Sequence, residues 1–198
     1  MKVLVYGSSE LGQVVKNLVK VCGHDFEGFI DDYKEGDLVI GTYEYIKTQS
    51  QYKWHGIAIA IGYKDLAKRW DIYQKLNIDG YKIISLIHPQ ALISPTSNIG
   101  RGSIIMMGAI VDCFTEIKEL SVLWNGSVVS HNSIIGENSF ISPNATICGC
   151  TEIGRNTFIG AGSIITDHKK VPERSFIKAG SVINIQQNAI IDIKSGSI

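Results

Sequence analysis

The sequence predicts two parts of different class: an α/β unit with a parallel sheet over residues 1–87, then an all-β parallel β-helix over 88–198. Three observations predict it. Short β-rich runs alternate with helix-period stretches up to about residue 85. From Ile93 to Ile165 an aliphatic residue stands at every sixth position, thirteen times without a slip. Four places after each of the first twelve comes a small residue, Ser, Thr or Ala.

In the first part, Lys2 to Tyr6 reads as a strand, followed by Gly7-Ser8-Ser9-Glu10-Leu11-Gly12. Leu11, Val14, Val15, Leu18, Val19 and Cys22 then fall at helical spacing, and Gly23 sits where a helix C-cap belongs. Phe26 to Asp31 is the second strand and ends in Asp31-Asp32. Ile57 to Ile61 is a further buried strand, and Leu66, Trp70, Tyr73 and Leu76 mark a second amphipathic helix. Tyr81 to Ile87 reads as the last strand. Strands alternating with helices argue for a small doubly wound, Rossmann-like sheet of four or five strands.

In the second part, a period of six fits neither a helix nor a hairpin ladder and is the signature of hexapeptide coils. Each hexapeptide supplies one flat strand and one corner, the aliphatic residue pointing inward and the small residue fitting inside the turn. Three sides close a triangular coil of 18 residues, so residues i and i+18 stack, and twelve repeats make about four coils. The isoleucines are therefore core. Function belongs to outward positions.

Composition excludes several classes. With 44% hydrophobic residues the chain carries enough apolar material for a core, which rules out wholesale disorder. Nineteen basic residues balance nineteen acidic ones, leaving no electrostatic footprint for nucleic acid or an anionic membrane surface. No apolar run approaches the roughly 18 residues of a membrane span. The start, Met1-Lys2-Val3-Leu4-Val5-Tyr6-Gly7, reads as a strand and not as an export signal, so the four cysteines are expected to be reduced thiols in the cytoplasm.

These residues resemble a known family. A short Rossmann-like domain carrying Val5-Tyr6-Gly7-Ser8-Ser9, Phe29-Ile30-Asp31-Asp32 and Ile59-Ala60-Ile61-Gly62 looks like the start of the bacterial nucleotide-linked aminosugar N-acetyltransferases. So do Leu86-Ile87-His88, Ala91-Leu92-Ile93-Ser94-Pro95 and Ser130-His131 with Ile135-Gly136-Glu137. The resemblance covers nearly the whole chain. It implies a left-handed β-helix, a homotrimer with active sites between neighbouring β-helices, acetyl-CoA as cosubstrate, and no metal. The acceptor it implies is a UDP- or dTDP-linked amino-deoxy sugar destined for surface glycans.

The turn from Gly7 to Gly12 follows a strand and opens a helix, the context in which free N–H groups attract a pyrophosphate. Ser9 replaces the middle glycine of the dinucleotide fingerprint, and Glu10-Leu11 replaces a glycine-histidine pair usual in the family. Asp31 and Asp32 end the second strand, where a carboxylate can accept from ribose hydroxyls. The resemblance assigns Ser9, Glu10, Leu11, Asp31, Asp32 and Gly62 to the nucleotide sugar.

His131 follows the inward Val129 by two residues and stacks between Cys113 and Gly149, both small. A neutral imidazole there suits a general base that takes the proton of an attacking amine. The resemblance gives His131 that role and offers the Gly149 N–H to the oxyanion. Many relatives follow this histidine with an acid; Asn132 stands here, which predicts a less basic ring or a carboxylate from elsewhere. Phe140 replaces a second family histidine near the acyl group. Ala161 and Ala179 match coenzyme-contact positions, and Lys169, Lys170, Arg174 and Lys178 are candidates for its phosphates.

Other readings remain open. His88, His131 and His168 are poorly placed to converge on a metal, and Cys148 and Cys150 show no partner that would activate a thiol for a covalent route. A different acyl group or acceptor, or a non-catalytic sugar-nucleotide sensor, are the alternatives.

Overall fold

Five parallel strands form the first sheet in the computed structural model, which describes residues 1–184: β1 (Lys2–Tyr6), β2 (Asp25–Ile30), β3 (Val39–Gly41), β4 (Gly56–Ile59) and β5 (Lys82–Ile83). Their order is β3-β2-β1-β4-β5. The strand order reverses between β1 and β4, and in open α/β sheets the crevice beyond the carboxyl ends of such a pair is where ligands bind. The helices are α1 (Glu10–Val21), α2 (Tyr43–Thr48) and α3 (Leu66–Ile78). Gly12, Val15, Leu18 and Val19 form the buried face of α1. The helix stops at Gly23, whose φ of 74° allows Gly23 N–H to reach Lys20 O and His24 N–H to reach Val19 O.

Two details differ from the sequence reading. The buried face of α3 is Arg69, Ile72, Tyr73 and Leu76, while Leu66 and Trp70 are only half-buried. Burial of Arg69 pulls its pKa down to about 9. The expected strand Tyr81–Ile87 is two strands: β5 closes the α/β sheet, and β6 (Leu86–Ile87) joins a sheet of the β-helix. Ile87 already stands in the six-residue register, six before Ile93. The compact units divide after Leu86.

The second unit, as far as residue 184, is a left-handed β-helix of two-residue strands, β6 to β22 (Val182–Ile183), on three faces. Face one holds β7 (Leu92–Ile93), β10 (Ile110–Val111), β13 (Val128–Val129), β16 (Thr146–Ile147), β19 (Ile164–Ile165) and β22. Face two holds β8 (Asn98–Ile99), β11 (Glu116–Ile117), β14 (Ile134–Ile135), β17 (Glu152–Ile153) and β20 (Lys170–Val171). Face three holds β6, β9 (Ile104–Ile105), β12 (Val122–Leu123), β15 (Phe140–Ile141), β18 (Phe158–Ile159) and β21 (Phe176–Ile177). Each strand pairs in parallel with those 18 residues away, as Val111 does with Ile93 and Val129. The helix outruns the expected four coils, because Val171, Ile177 and Ile183 continue the inward register past Lys169, which breaks the small-residue rule. The remainder of the expected 88–198 unit lies outside the described residues.

Inward aliphatic residues are buried, and the small residues have a second task. Ser103, Thr115, Ser121, Ser133, Ser139, Thr151, Thr157 and Ser163 each donate a hydroxyl to a carbonyl fifteen residues ahead, in the next coil. Corners are turned by a residue of positive φ at every sixth position from Gly102 to Gly180. Asn holds that place at 132, 138, 144 and 156, the side chain that best tolerates this conformation after Gly.

Ser127 lies between Ala109 and Ala145 in the stack, and its buried Oγ has no hydrogen-bond partner among the described residues. Ser139, by contrast, donates to Gly154 O at 3.0 Å and accepts from Thr157 N–H at 3.2 Å. Ser139→Ala should therefore cost about 1–2 kcal/mol in urea unfolding, while Ser127→Ala should be neutral or slightly stabilising. Equal losses in both would contradict this account of the corners.

Candidate active site

Crevice residues in the α/β unit come from three strand ends. After β1, Gly7 adopts a φ of 105°, and a Cβ there would lie 2.8 Å from Ala60 O. A Cβ on Gly12 would overlap the Gly7 carbonyl, so this glycine lets α1 start hard against the turn. Ser9 is the N-cap of α1 without a side-chain cap bond. Ser9 and Glu10 are exposed there, at the positive end of the helix. Leu11 lies beside Gly62, where a Cβ would be 4.0 Å from Leu11 Cδ2. The structure therefore gathers Ser9, Glu10, Leu11 and Gly62 at the switch point.

Asp31 and Asp32 also end there, but their carboxylates are engaged within the unit. Asp31 Oδ2 accepts from Ser8 N–H at 3.0 Å and Ser8 Oγ at 2.6 Å, and Oδ1 accepts from the N–H groups of Tyr33 and Lys34 at 3.0 Å each. Burial opposes the charge, yet the bonds from Ser8, Tyr33 and Lys34 hold the Asp31 carboxyl below its usual range. Asp32 accepts from Tyr6 OH at 2.7 Å and Tyr43 N–H at 2.8 Å. Burial and this bond push the Tyr6 hydroxyl pKa up. Asp31 is thus a brace that fixes the glycine turn, and Ser8, its partner, is a residue that motif reading passed over.

In the β-helix, His131 and Asn132 form the corner between β13 on face one and β14 on face two, and both are exposed. Asn132 takes a φ of 55°, which brings its Oδ1 to 3.1 Å from His131 Nδ1. With a carbonyl oxygen opposite, Nδ1 carries the proton and Nε2 the lone pair. The Nε2–Cε1 edge faces the corner above: a Cβ on Gly149 would lie 2.7 Å from both atoms. Only glycine at 149 leaves the ring where it is. Among the described residues the Gly149 N–H meets no acceptor. In the corner below, Asp112 Oδ1 accepts from Cys113 N–H at 2.7 Å. Burial, then Asp112, push the Cys113 thiol pKa up, which opposes thiolate chemistry at that place.

The other expected coenzyme positions do not adjoin His131 within one chain. Phe140 is buried on face three, between the rings of Trp124 and Phe158 at 6.0 Å each. Ala161 and Ala179 stack at the corner between faces three and one, beside Gly162 and Gly180, where an added Cβ would meet nothing within 4 Å. Lys178 adjoins Ala179, whereas Lys170 is paired to Glu152 at 2.9 Å on face two, and Arg174 turns the corner between faces two and three. Among the described residues no three His, Cys, Asp or Glu side chains cluster to hold a metal ion, and no helix is long and apolar enough to cross a membrane.

Known proteins share this fold. The PglD N-terminal domain matches residues 2–76, and the bacterial transferase hexapeptide (six repeats) matches 132–167. The acetyltransferase domain of PglB from Neisseria gonorrhoeae FA1090 is 30% identical, with 95% of this chain and 93% of that one covered at a TM-score of 0.87. The same domain in complex with acetyl coenzyme A matches at 27% identity, 92% of each chain and a TM-score of 0.80. A GDP-perosamine N-acetyltransferase from Caulobacter crescentus, in complex with CoA and GDP-perosamine, shares the fold at 21% identity, with 93% and 89% covered and a TM-score of 0.87. The fold and the family match define a hexapeptide-repeat acyltransferase. The chain belongs to the family of bacterial nucleotide-linked aminosugar N-acetyltransferases.

Two outcomes follow. Gly149→Ala should displace the His131 ring, seen as a changed imidazole ¹³Cε1 shift, with turnover falling far more than stability. Because the Asp31 pKa is lowered from 3.8 in the folded state, its contribution to stability is complete above that value and lost as pH falls through the lower folded pKa. Asp31→Asn should flatten that acid limb in unfolding midpoints measured below about pH 4.

Proposed function

We propose that this protein transfers the acetyl group of acetyl-CoA to the amine of a nucleotide-linked amino-deoxy sugar, with His131 as general base. One observation carries the reading: His131 is held at Nδ1 by Asn132 and presents Nε2 at Gly149, whose N–H is unengaged. The amine nitrogen attacks the thioester carbonyl carbon and its proton passes to Nε2. The Gly149 N–H donates to the oxygen that gains charge. Collapse of the tetrahedral intermediate breaks the C–S bond, and the imidazolium returns the proton to the CoA thiolate.

The nucleotide is held at the α/β switch point. Its pyrophosphate meets the N-terminal amides of α1 at Ser9 and Leu11, and its nucleoside meets the edge braced by Asp31 and Asp32, with Gly62 lining the floor. Coenzyme A runs along the open corner of Ala161 and Ala179. That corner and His131 bound the same face, where Leu92, Ile110, Ile164 and Val182 are exposed at 64, 36, 40 and 50%. Covering an apolar face of this kind by another copy supports a homotrimer in which His131 of one copy meets the Ala161–Ala179 corner of the next. The site belongs to cytoplasmic surface-glycan synthesis, where acetyl-CoA and sugar nucleotides are both at hand.

The test is release of free CoA thiol with UDP-, dTDP- and GDP-linked aminosugars. Turnover with one of them is expected, and His131→Ala should lower it by about 10²–10⁴-fold. Binding without thiol release would mark a sensor. Full turnover in His131→Ala would remove that residue from the chemistry. Light scattering should give a trimer, and Ile164→Glu should yield a smaller species with little activity.

A further inference from the structure

We infer that Lys68 is the cation that grips the diphosphate of the nucleotide sugar, held over the crevice by Tyr33. The inference rests on the nucleotide occupying the switch point. One run of contacts encircles that crevice. Asp31 joins the turn after β1 to the chain after β2, because Oδ2 takes Ser8 N–H and Oδ1 takes Tyr33 N–H, each at 3.0 Å. The Tyr33 ring stands 81% exposed, and Lys68 Nζ lies 5.6 Å from its centroid. Lys68 belongs to α3, which begins four residues after Gly62, and Gly62 returns the circuit to Leu11 of α1. The steps from β1 to β2 and from β4 to β5 run in opposite directions, so right-handed crossovers place α1 and α3 on opposite faces of the sheet. Because β1 lies between β2 and β4, reaching Tyr33 carries Lys68 past the end of β1. Lys68 therefore supplies the wall across the crevice from the α1 amides.

Positive charge is what the crevice otherwise lacks. The α1 N-terminus offers about half an elementary charge, and Glu10 in its first turn opposes it. Asp31 and Asp32 stand behind the turn, so a diphosphate seated there meets three carboxylates and needs a fixed cation. Lys68 holds an unusual place for a basic residue. It lies in the first turn of α3, where the helix dipole disfavours a cation, and its N–H is capped by Asp65 at 2.9 Å. A local preference broken in this way points to function. The Tyr33 hydroxyl chiefly raises the Lys68 pKa, with burial opposing it, so the amine stays protonated. A ring beside the ammonium also limits the swing of a long side chain before the phosphates arrive, which lowers the entropy lost on binding. Two other lysines, Lys34 and Lys64, are exposed on the turns that flank the crevice.

Calorimetry on the full chain compares UDP, dTDP and GDP with the matching nucleosides. Lys68→Met should weaken the diphosphate that the wild-type protein prefers by about 10–100-fold and leave its nucleoside unchanged. In turnover, KM for the sugar nucleotide should rise with kcat nearly constant. Lys68→Arg should keep affinity within a few-fold, and Lys64→Met, which removes an equal charge from the rim, should cost less than about threefold. Tyr33→Ala should cost several-fold alone and nothing further in K68M, the mark of a residue that acts through Lys68. Should K68M not fold, Lys68→Gln serves in its place. Equal diphosphate affinity in the folded variant and wild type, or an equal loss for diphosphate and nucleoside, overturns Lys68 as the diphosphate cation. An undiminished Tyr33→Ala effect in K68M overturns its positioning by Tyr33. Failure of the wild-type protein to bind any of the three diphosphates instead overturns the nucleotide reading of the crevice, so the failures are told apart.

Discussion

Parallel pairing of each strand with the strand 18 residues away governs the β-helix unit. It stacks Cys113, His131, Gly149 and Asp167 in one column about 4.8 Å per coil. The ladder leaves each corner only the space between two neighbouring coils. His131 can lie where it does because position 149 has no Cβ. A site of this kind needs no loop to assemble it. The rungs supply rigidity, and chemistry enters by changing single corner residues.

In the α/β unit the controlling contact is of another type. Asp31 ties the end of β2 to the turn after β1 through both donors of Ser8, and Asp32 ties it to Tyr6 and α2 through Tyr43. With those carboxylates filled by internal donors, the surface left for a ligand is the helix N-terminus at Ser9 to Leu11 and the bare backbone at Gly62. A ligand seated there would meet N–H groups and bare backbone, with the acids one layer behind.

Much of this was legible in the sequence. The period of six named the inward residues, and Gly23, the strand Lys2–Tyr6 and the corner position of His131 followed from spacing alone. What escaped has physical causes. Hexapeptide register already holds at Ile87, so a strand expected to end the sheet instead opens the β-helix. Arg69 is buried because α3 is rotated from the face its large apolar residues suggest. Phe140 lies on face three because nine residues, one and a half sides, separate it from His131.

The uniform rung also constrains how such a chain can change in length. Every side takes six residues, so inserting or losing any other number would turn the inward aliphatic row outward for all that follows. Whole sides keep the interior but rotate later corners by a third of a revolution, separating Ala161 and Ala179 from the edge they share. Only complete revolutions preserve both, and descent by duplication or deletion of this gene is thereby confined to a vernier of eighteen codons.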